Sequence, residues 1–172
     1  MQARRLGLVD TADGTSDAGV DRKAPTLKVA IATNDLRYLD AHFGSAKHFA
    51  MFDVGADGWR FVEVVAFDDV TGEAGRHPET EDRITPKVEA LTGAALLFVL
   101  AIGGPAAAKV VRAGIHPIKV KEPEPLGAIV LRVQKMLKGK PPPWLRKVLG
   151  RPRATRDFVD DAQEAPDTEL AR

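Results

Sequence analysis

One loop holds most of the side chains in this sequence that could do chemistry. It covers residues 34–44 and directly follows an apolar run with the pattern of a strand. In this loop His42 offers a metal ligand, Arg37 offers a partner for an anion, and Asp40 offers a carboxylate. Gly44 adds a backbone that accepts a tight turn. Because loops at strand ends commonly carry binding residues, we expect the functional site here.

Local chemistry alone favours ordinary structural roles for the same residues. His42 is more often a loop histidine that bonds to Asp40 or to solvent, and Arg37 with Asp40 is more often a surface ion pair. A second feature, Gly103-Gly104 (the glycine turn), precedes a helical pattern and could present N–H groups to an anion. It could equally be simple turn chemistry, because neither a Walker motif nor a dinucleotide motif is present.

A metal-dependent hydrolase or nuclease is a separate hypothesis. Such an enzyme needs paired carboxylates for magnesium, and five aspartates could supply them: Asp35, Asp40, Asp53, Asp68 and Asp69. Asp68 and Asp69 fall where turn residues are expected, and no spacing among the five selects a nuclease quartet. We therefore keep a hydrolase or nuclease as an alternative function.

Composition limits the classes of function that this chain of 172 residues can have. It contains no cysteine, which excludes disulfides, thiolate zinc sites and all-cysteine iron–sulfur sites, so any metal must be bound by histidine and carboxylates. A net charge of +1 gives no global field toward nucleic acid or a membrane. The longest apolar run, residues 94–102, is shorter than the roughly 20 residues that span a bilayer. Since the N-terminus also lacks the apolar core of a signal peptide, we expect a cytoplasmic protein that binds neither nucleic acid nor a membrane.

Composition also divides the chain into three parts. Residues 1–26 are rich in Gly, Asp, Thr and Ser and are predicted to form a disordered N-terminal arm. Residues 27–139 carry the apolar periodicity of an α/β domain. Residues 140–172 begin with prolines and basic residues and end with acidic ones, which is typical of a solvated, disordered tail. The basic stretch over residues 138–156 could dock an acidic partner or nucleic acid, although a flexible tail is the more ordinary interpretation.

The central part has the pattern of alternating strands and helices. Strands are predicted over residues 27–33, 47–54, 59–67, 94–102 and 115–120, and helices are predicted to begin near Thr85, Pro105 and Pro125. In the third strand the larger apolar side chains are predicted to share one face: Trp59, Phe61, Val65 and Phe67. This order implies a mixed sheet with helices on both faces. If the first strand lies beside the strand that ends at Ile102, the 34–44 loop and the glycine turn border one crevice.

Five segments together resemble the NifX/NafY family of nitrogenase iron–molybdenum cofactor-binding domains. They are Lys28-Val-Ala-Ile-Ala-Thr33, Asp40-Ala-His-Phe-Gly44, the strand over residues 46–54, Ala101-Ile-Gly103 and Ala113-Gly-Ile115. The His-Phe-Gly loop is the specific element of this resemblance, and in length the chain is most similar to the NifX members. The same module forms the C-terminal part of NifB proteins.

The resemblance implies a fold, an activity and partners. The implied fold is a ribonuclease-H-like three-layer α/β sandwich with a five-stranded mixed sheet and helices on both faces. The implied activity is not enzymatic: a carrier or escort transiently binds an iron–sulfur precursor of the iron–molybdenum cofactor, similar to NifB-co. NifB is the implied donor of this precursor and the NifEN scaffold is the implied acceptor. A metal-dependent hydrolase and a cofactor-free interaction adaptor remain the alternatives.

The resemblance also implies the residues of the site. His42 falls on the family histidine that is associated with cluster binding, so it is the implied metal ligand. The other implied cofactor-binding residues surround it in the loop or form the glycine turn: Arg37, Asp40, Phe43, Gly44, Gly103 and Gly104. A finished cluster brings its own sulfides, so one exchangeable imidazole suits a carrier. Related sequences often carry a cysteine near the start of the fourth strand, where this chain has Ala94, and any sulfur ligation there is lost.

Overall fold

The computed structural model describes residues 3–6, 26–67 and 83–150, which form a mixed sheet covered by helices. The strands are β1 (Ala3–Leu6), β2 (Leu27–Thr33), β3 (Tyr38–Leu39), β4 (His48–Val54), β5 (Trp59–Phe67), β6 (Leu96–Val99), β7 (His116–Lys119) and β8 (Glu124–Pro125). The helices are α1 (Ile84–Ala90), α2 (Gly104–Arg112), α3 (Leu126–Lys138) and α4 (Pro143–Leu149). None of these helices has the length and hydrophobicity that a membrane crossing requires.

The main sheet has six strands in the order β1-β5-β4-β2-β6-β7. Strands β2, β6 and β7 run parallel, whereas β4, β5 and β1 extend the sheet on the other side of β2 in antiparallel pairs. Strands β3 and β8 form a separate two-stranded ribbon. A mixed sheet is therefore confirmed, but the predicted number of five strands is wrong because β1 adds a sixth.

Both faces of the central strand β2 are buried, because its side chains alternate between two hydrophobic layers. Val29 and Ile31 pack in the layer that contains α3 and α4. Ala30 and Ala32 pack in the opposite layer, which contains residues of α1 and α2. The predicted placement of helices on both faces of the sheet is therefore confirmed, and the described chain has three layers.

The strand–turn–helix unit of β6 and α2 forms as its proline and glycine signals indicate. Gly103 caps α2 with extended backbone angles (φ −71°, ψ 155°), and Pro105 lies in the first turn. Gly114 follows the helix with φ 81°, a conformation that glycine adopts without steric cost. The same kind of signal places Pro125 immediately before α3 and Gly139 immediately after it.

Strand β1 differs from the expectation of a disordered arm over residues 1–26. Its four residues pair antiparallel with the outer edge of β5, and Arg5 donates to Glu63 at 3.1 Å. Long strands such as β5 leave a row of unpaired N–H and C=O groups at a sheet edge, and β1 satisfies part of that row. All four of its side chains are exposed, so no hydrophobic pattern reveals the strand. Residues 7–25 lie outside the described part of the chain.

A register shift in β5 overturns the prediction that four of its apolar residues share one face. The residues that pair with β4 skip Val62, which is the extra residue of a bulge. Trp59 and Phe61, before the bulge, therefore pack in the layer of α3 and α4. Val65 and Phe67, after it, pack in the layer of α1 and α2. A bulge adds one residue and so reverses the alternation that follows it.

Helix α4 lies within the segment that was expected to be a solvated tail, residues 140–172. Leu145 is fully buried in the layer of α3, and the Trp144 ring stacks on His116 with centroids 4.8 Å apart. The segment is basic, but Leu145 and Val148 are three residues apart and so reach the same face of a helix. Residues 151–172 lie outside the described ranges.

Candidate functional site

The first half of the 34–44 loop is held by one carboxylate and one hydroxyl. Asp35 Oδ1 accepts hydrogen bonds from the backbone N–H groups of Arg37 and Tyr38, both at 2.8 Å. Thr33 Oγ1 accepts from the N–H of Leu36 at 3.0 Å, and Leu36 takes the left-handed conformation with φ 61°. The hydrogen bonds from Tyr38 and Arg37 favour the ionised form and lower the pKa of Asp35.

The second half of the loop is closed by two further side-chain hydrogen bonds. Asp40 Oδ1 accepts from the N–H of Asn34 at 2.6 Å, and Asn34 Oδ1 accepts from the N–H of Lys47 at 3.0 Å. The carboxylate of Asp40 therefore shapes the loop. In the described ranges Asp40 makes no ion pair with Arg37, so the surface pair considered from the sequence does not form. The loop is therefore held in one conformation by its own hydrogen bonds.

Backbone pairing places residues 40–44, here called the histidine loop, beside the glycine turn. The N–H of Leu100 donates to the carbonyl of Ala41 at 3.0 Å, and the N–H of Phe43 donates to the carbonyl of Ala101 at 2.9 Å. These bonds tie the histidine loop to the residues that follow β6, beyond the end of the β2–β6 pairing. The adjacency of β2 and β6, on which the expected crevice depends, is present in the structure. It brings His42 to the carboxyl edge of the sheet, next to the N-terminus of α2.

His42 is exposed, whereas the residues on either side of it are buried. Ala41 is almost fully buried and Phe43 is 0% exposed, with the Phe43 ring packed against Phe49 at a centroid distance of 5.6 Å. An extended segment alternates sides, so the imidazole between these residues faces outward. It makes no hydrogen bond to any residue that the structure describes. Phe43 was also predicted to be a site residue, but its side chain lies in the core and acts on the site only through the loop.

Arg37 lies at the other end of the loop. Its carbonyl accepts from the N–H of Leu126, the first residue of α3, at 2.9 Å, and the next two residues form β3. The guanidinium is exposed and, among the described residues, has neither a hydrogen bond nor an ion pair. Backbone bonds therefore join the residues on either side of His42 to Leu100 and Ala101, just before the glycine turn, but the described residues give no contact between Arg37 and either His42 or the turn.

The glycines of the site are not required by the fold. Gly44, Gly103 and Gly104 all lack a positive φ, and a Cβ added to any of them would meet no atom within 4 Å. Neither backbone conformation nor packing therefore explains glycine at these positions. The first turn of α2 also carries no acidic residue. Its N–H groups and the positive end of the helix dipole are available to an anion.

The described residues contain no group of three His, Cys, Asp or Glu side chains that could hold a metal ion. Of the aspartates considered for a hydrolase, Asp40 bonds within its loop and Asp53 pairs with Arg60 at 2.7 Å. Asp68 and Asp69 lie outside the described ranges. What these ranges offer is one exposed imidazole beside backbone donors. This set suits a cargo that brings most of its own ligands.

Lys87 of α1 is the residue of this site that the sequence reasoning missed. Its side chain is 1% exposed, and its Nζ donates to three carbonyls directly behind His42: Phe43 at 3.3 Å, Gly44 at 2.6 Å and Ala46 at 2.9 Å. A signal was available in the sequence. Lys87 falls on the helical stripe formed by Ile84, Val88 and Leu91, where a charged residue is rare unless it has partners inside the protein.

Ala94, the position at which the family resemblance implies a cysteine, lies at the end of the sheet opposite to His42. It is buried and precedes β6, whereas the histidine loop meets the chain after β6, at Ala101. Seven residues of extended chain span about 23 Å. A side chain at position 94 is therefore too far away to share a ligand with His42.

Comparison with known proteins identifies the family of the chain. The family described as dinitrogenase iron-molybdenum cofactor matches residues 25–136. The chain is 60% identical over 149 residues to Protein NifX of Sinorhizobium fredii, covering 86% of this chain and 89% of that protein. It is 59% identical over 138 residues to Protein NifX of Rhodobacter capsulatus, covering 78% and 87%. It is also 31% identical over 103 residues to the FeMo cofactor biosynthesis protein NifB of Bradyrhizobium diazoefficiens, covering 59% of this chain and 20% of that protein.

Proposed function

Because the chain belongs to the dinitrogenase iron–molybdenum cofactor family, we propose that it is a carrier in the biosynthesis of that cofactor. It binds an iron–sulfur precursor cluster for a short time and passes it on without changing it. The names of its NifX and NifB relatives support this role. The observation that carries the proposal is the exposed imidazole of His42, held beside the glycine turn by the bonds between residues 41–43 and 100–101.

Each part of the site has a chemical role in this proposal. The imidazole of His42 is a single exchangeable ligand for an iron atom of the precursor. The precursor carries sulfides and negative charge, which the N–H groups at Gly103 and Gly104 and the dipole of α2 stabilise. The exposed guanidinium of Arg37 adds a positive charge at the far end of the loop. Asp40 and Phe43 set the shape of the backbone that presents the imidazole, and Gly44 leaves open space beside it for the cargo.

A carrier must release its cargo as well as bind it, and the site fits that requirement. A chain without cysteine cannot hold a cluster through several thiolates, so few strong bonds must break at transfer. The loop is shaped before binding by the hydrogen bonds of Asp35 and Asp40, which lowers the entropic cost of binding. NifB is the proposed donor and the NifEN scaffold the proposed acceptor. Within the proposal the three-layer sandwich is of the ribonuclease-H-like type.

The test is cluster binding by a His42→Ala variant. We expect its affinity for the isolated precursor to fall by at least about 10- to 100-fold, the range for loss of an outer-shell partner at metal sites. Bound iron is measured after anaerobic mixing and desalting. The control is His116→Phe. This change removes a histidine at the start of β7, at the other end of the strands from His42, and keeps a ring for Trp144 to stack on. Equal iron retention by His42→Ala and the control would refute the ligand assignment.

A further inference from the structure

We infer that Lys87 is a positioning residue for the cargo, acting through the histidine loop without touching the cargo itself. This inference rests on the proposed carrier function. Lys87 lies on α1, more than forty positions from the loop in sequence, and its ammonium group sits directly beneath it. No feature of the loop's own sequence identifies this support.

The contacts of Lys87 explain how the loop keeps its shape. The carbonyls of Phe43, Gly44 and Ala46 converge on one Nζ at 3.3, 2.6 and 2.9 Å. Buried carbonyls need donors, and an ammonium offers three N–H groups from one compact atom. The same Nζ lies 5.5 Å from the centroid of the Phe67 ring, a favourable cation–π position. Lys87 therefore ties three carbonyls of one turn to the core.

The direction of these carbonyls matters for an anionic cargo. Three acceptors that could otherwise face the crevice point inward to Lys87, so the loop does not present their negative ends to the cluster. The buried ammonium also adds a positive charge behind His42, where water screens it less than a surface charge. Both effects favour binding of a negatively charged precursor, and both are lost if Lys87 becomes neutral.

Lys87→Met tests the inference, because methionine retains an unbranched stem of similar length and removes the charge and the donors. The first readout is amide hydrogen exchange at Phe43 and Ala46, whose N–H groups donate to Ala101 and His42. We expect exchange to accelerate by at least about 10-fold. The second readout is affinity for the isolated precursor, which we expect to fall by about 10- to 100-fold.

The matched control is Lys109→Met in α2. Lys109 is a half-buried helix lysine whose Nζ donates to the hydroxyl of Thr85 at 2.8 Å, so its replacement also removes a side-chain hydrogen bond, at a position outside the histidine loop. We expect both readouts in this control to stay within about twofold of wild type. A similar loss in both variants would mean that general destabilisation, not loop positioning, causes the effect, and the inference would be wrong.

The two readouts separate the inference from the proposed function. Unchanged exchange in Lys87→Met overturns the positioning role, and faster exchange with unchanged affinity overturns its relevance to cargo. If wild type retains no precursor, the proposed function fails, while faster exchange would still identify Lys87 as the support of the loop. Should Lys87→Met not fold, Lys87→Gln keeps an amide donor and carries the same readouts, with changes expected in the same direction.

Discussion

Replacing Gly44 by alanine should separate the needs of the fold from those of the cargo. Gly44 has no positive φ, and an added Cβ meets no atom within 4 Å, so alanine fits the folded state without strain. Alanine also restricts the unfolded chain, which stabilises a protein by about 0.4–1 kcal/mol at compatible positions. For a chain of this size we expect the melting temperature to rise by about 1–4 °C.

Cargo binding should change in the opposite direction. The new methyl group occupies open space two residues after His42, where the proposed binding mode brings a cluster close to the backbone. Forcing a methyl group against a rigid partner costs about 1–3 kcal/mol, which is roughly a 5- to 150-fold loss of affinity. A variant that is more stable than wild type and binds its cargo less well would show that the glycine serves the cargo.

The assay pairs a thermal melt with anaerobic titration of the isolated precursor, and Gly127→Ala is the control. Gly127 lies in the first turn of α3, is exposed, and also leaves a Cβ without contacts within 4 Å. It should gain up to about 1 kcal/mol from helix propensity and bind the precursor as wild type does. If Gly44→Ala binds as tightly as Gly127→Ala, the cargo does not approach Gly44. If its melting temperature falls, the reasoning from backbone angle and open space is wrong.

Three further perturbations test the surroundings of the site. Arg37→Glu should weaken precursor binding by up to about 10-fold at low salt and less at high salt, as titrations at two ionic strengths would reveal, because its guanidinium is exposed. Asp35→Asn should lower stability at neutral pH. The folded pKa of Asp35 lies below its usual 3.8, so the ionised carboxylate stabilises the fold above pH 3.8. This stabilisation disappears as the pH falls through the folded pKa. The melting temperatures of wild type and variant should therefore differ at pH 7 and begin to approach each other as the pH falls below 3.8. Leu145→Ala should cost about 2–4 kcal/mol in denaturant unfolding, against less than about 0.5 kcal/mol for the exposed Leu149→Ala, and equal costs would contradict the docking of α4.

The sequence predicted best those elements whose signals are local. Helix α2 begins after Gly103 with Pro105 in its first turn, and α3 lies between Pro125 and Gly139, because caps act within a few residues of the backbone that they satisfy. The crevice depended on an assumption about tertiary structure. Two antiparallel strands of the main sheet and a helix separate β2 from β6 in the sequence, so no local signal fixes them as neighbours, although they do pair in parallel.

The elements that the sequence did not reveal depend on distant partners. Strand β1 has four exposed side chains and forms only because β5 offers an edge. The bulge at Val62 is set by pairing with β4, and it moves Trp59 and Phe67 to opposite faces. Helix α4 was hidden by the basic and proline-rich composition around Leu145, whose burial requires the finished sheet. The composition of a segment indicates its average polarity and does not show whether one of its residues is buried.

The exposed side of the proposed site was selected from a contiguous motif, whereas the only signal for its buried side was a charged residue on the apolar stripe of α1. His42 could be selected by resemblance because its motif is contiguous, whereas Lys87 supports the same loop from another helix. This separation of exposed residues from the buried residues that support them has a consequence for the proposed carrier. Phe43 and Lys87 fix the backbone from within, so the residues that face the cargo contribute little to folding and can change without loss of stability. Affinity for the cluster can therefore be adjusted at the exposed positions independently of the fold, which a protein that must both bind and release its cargo requires.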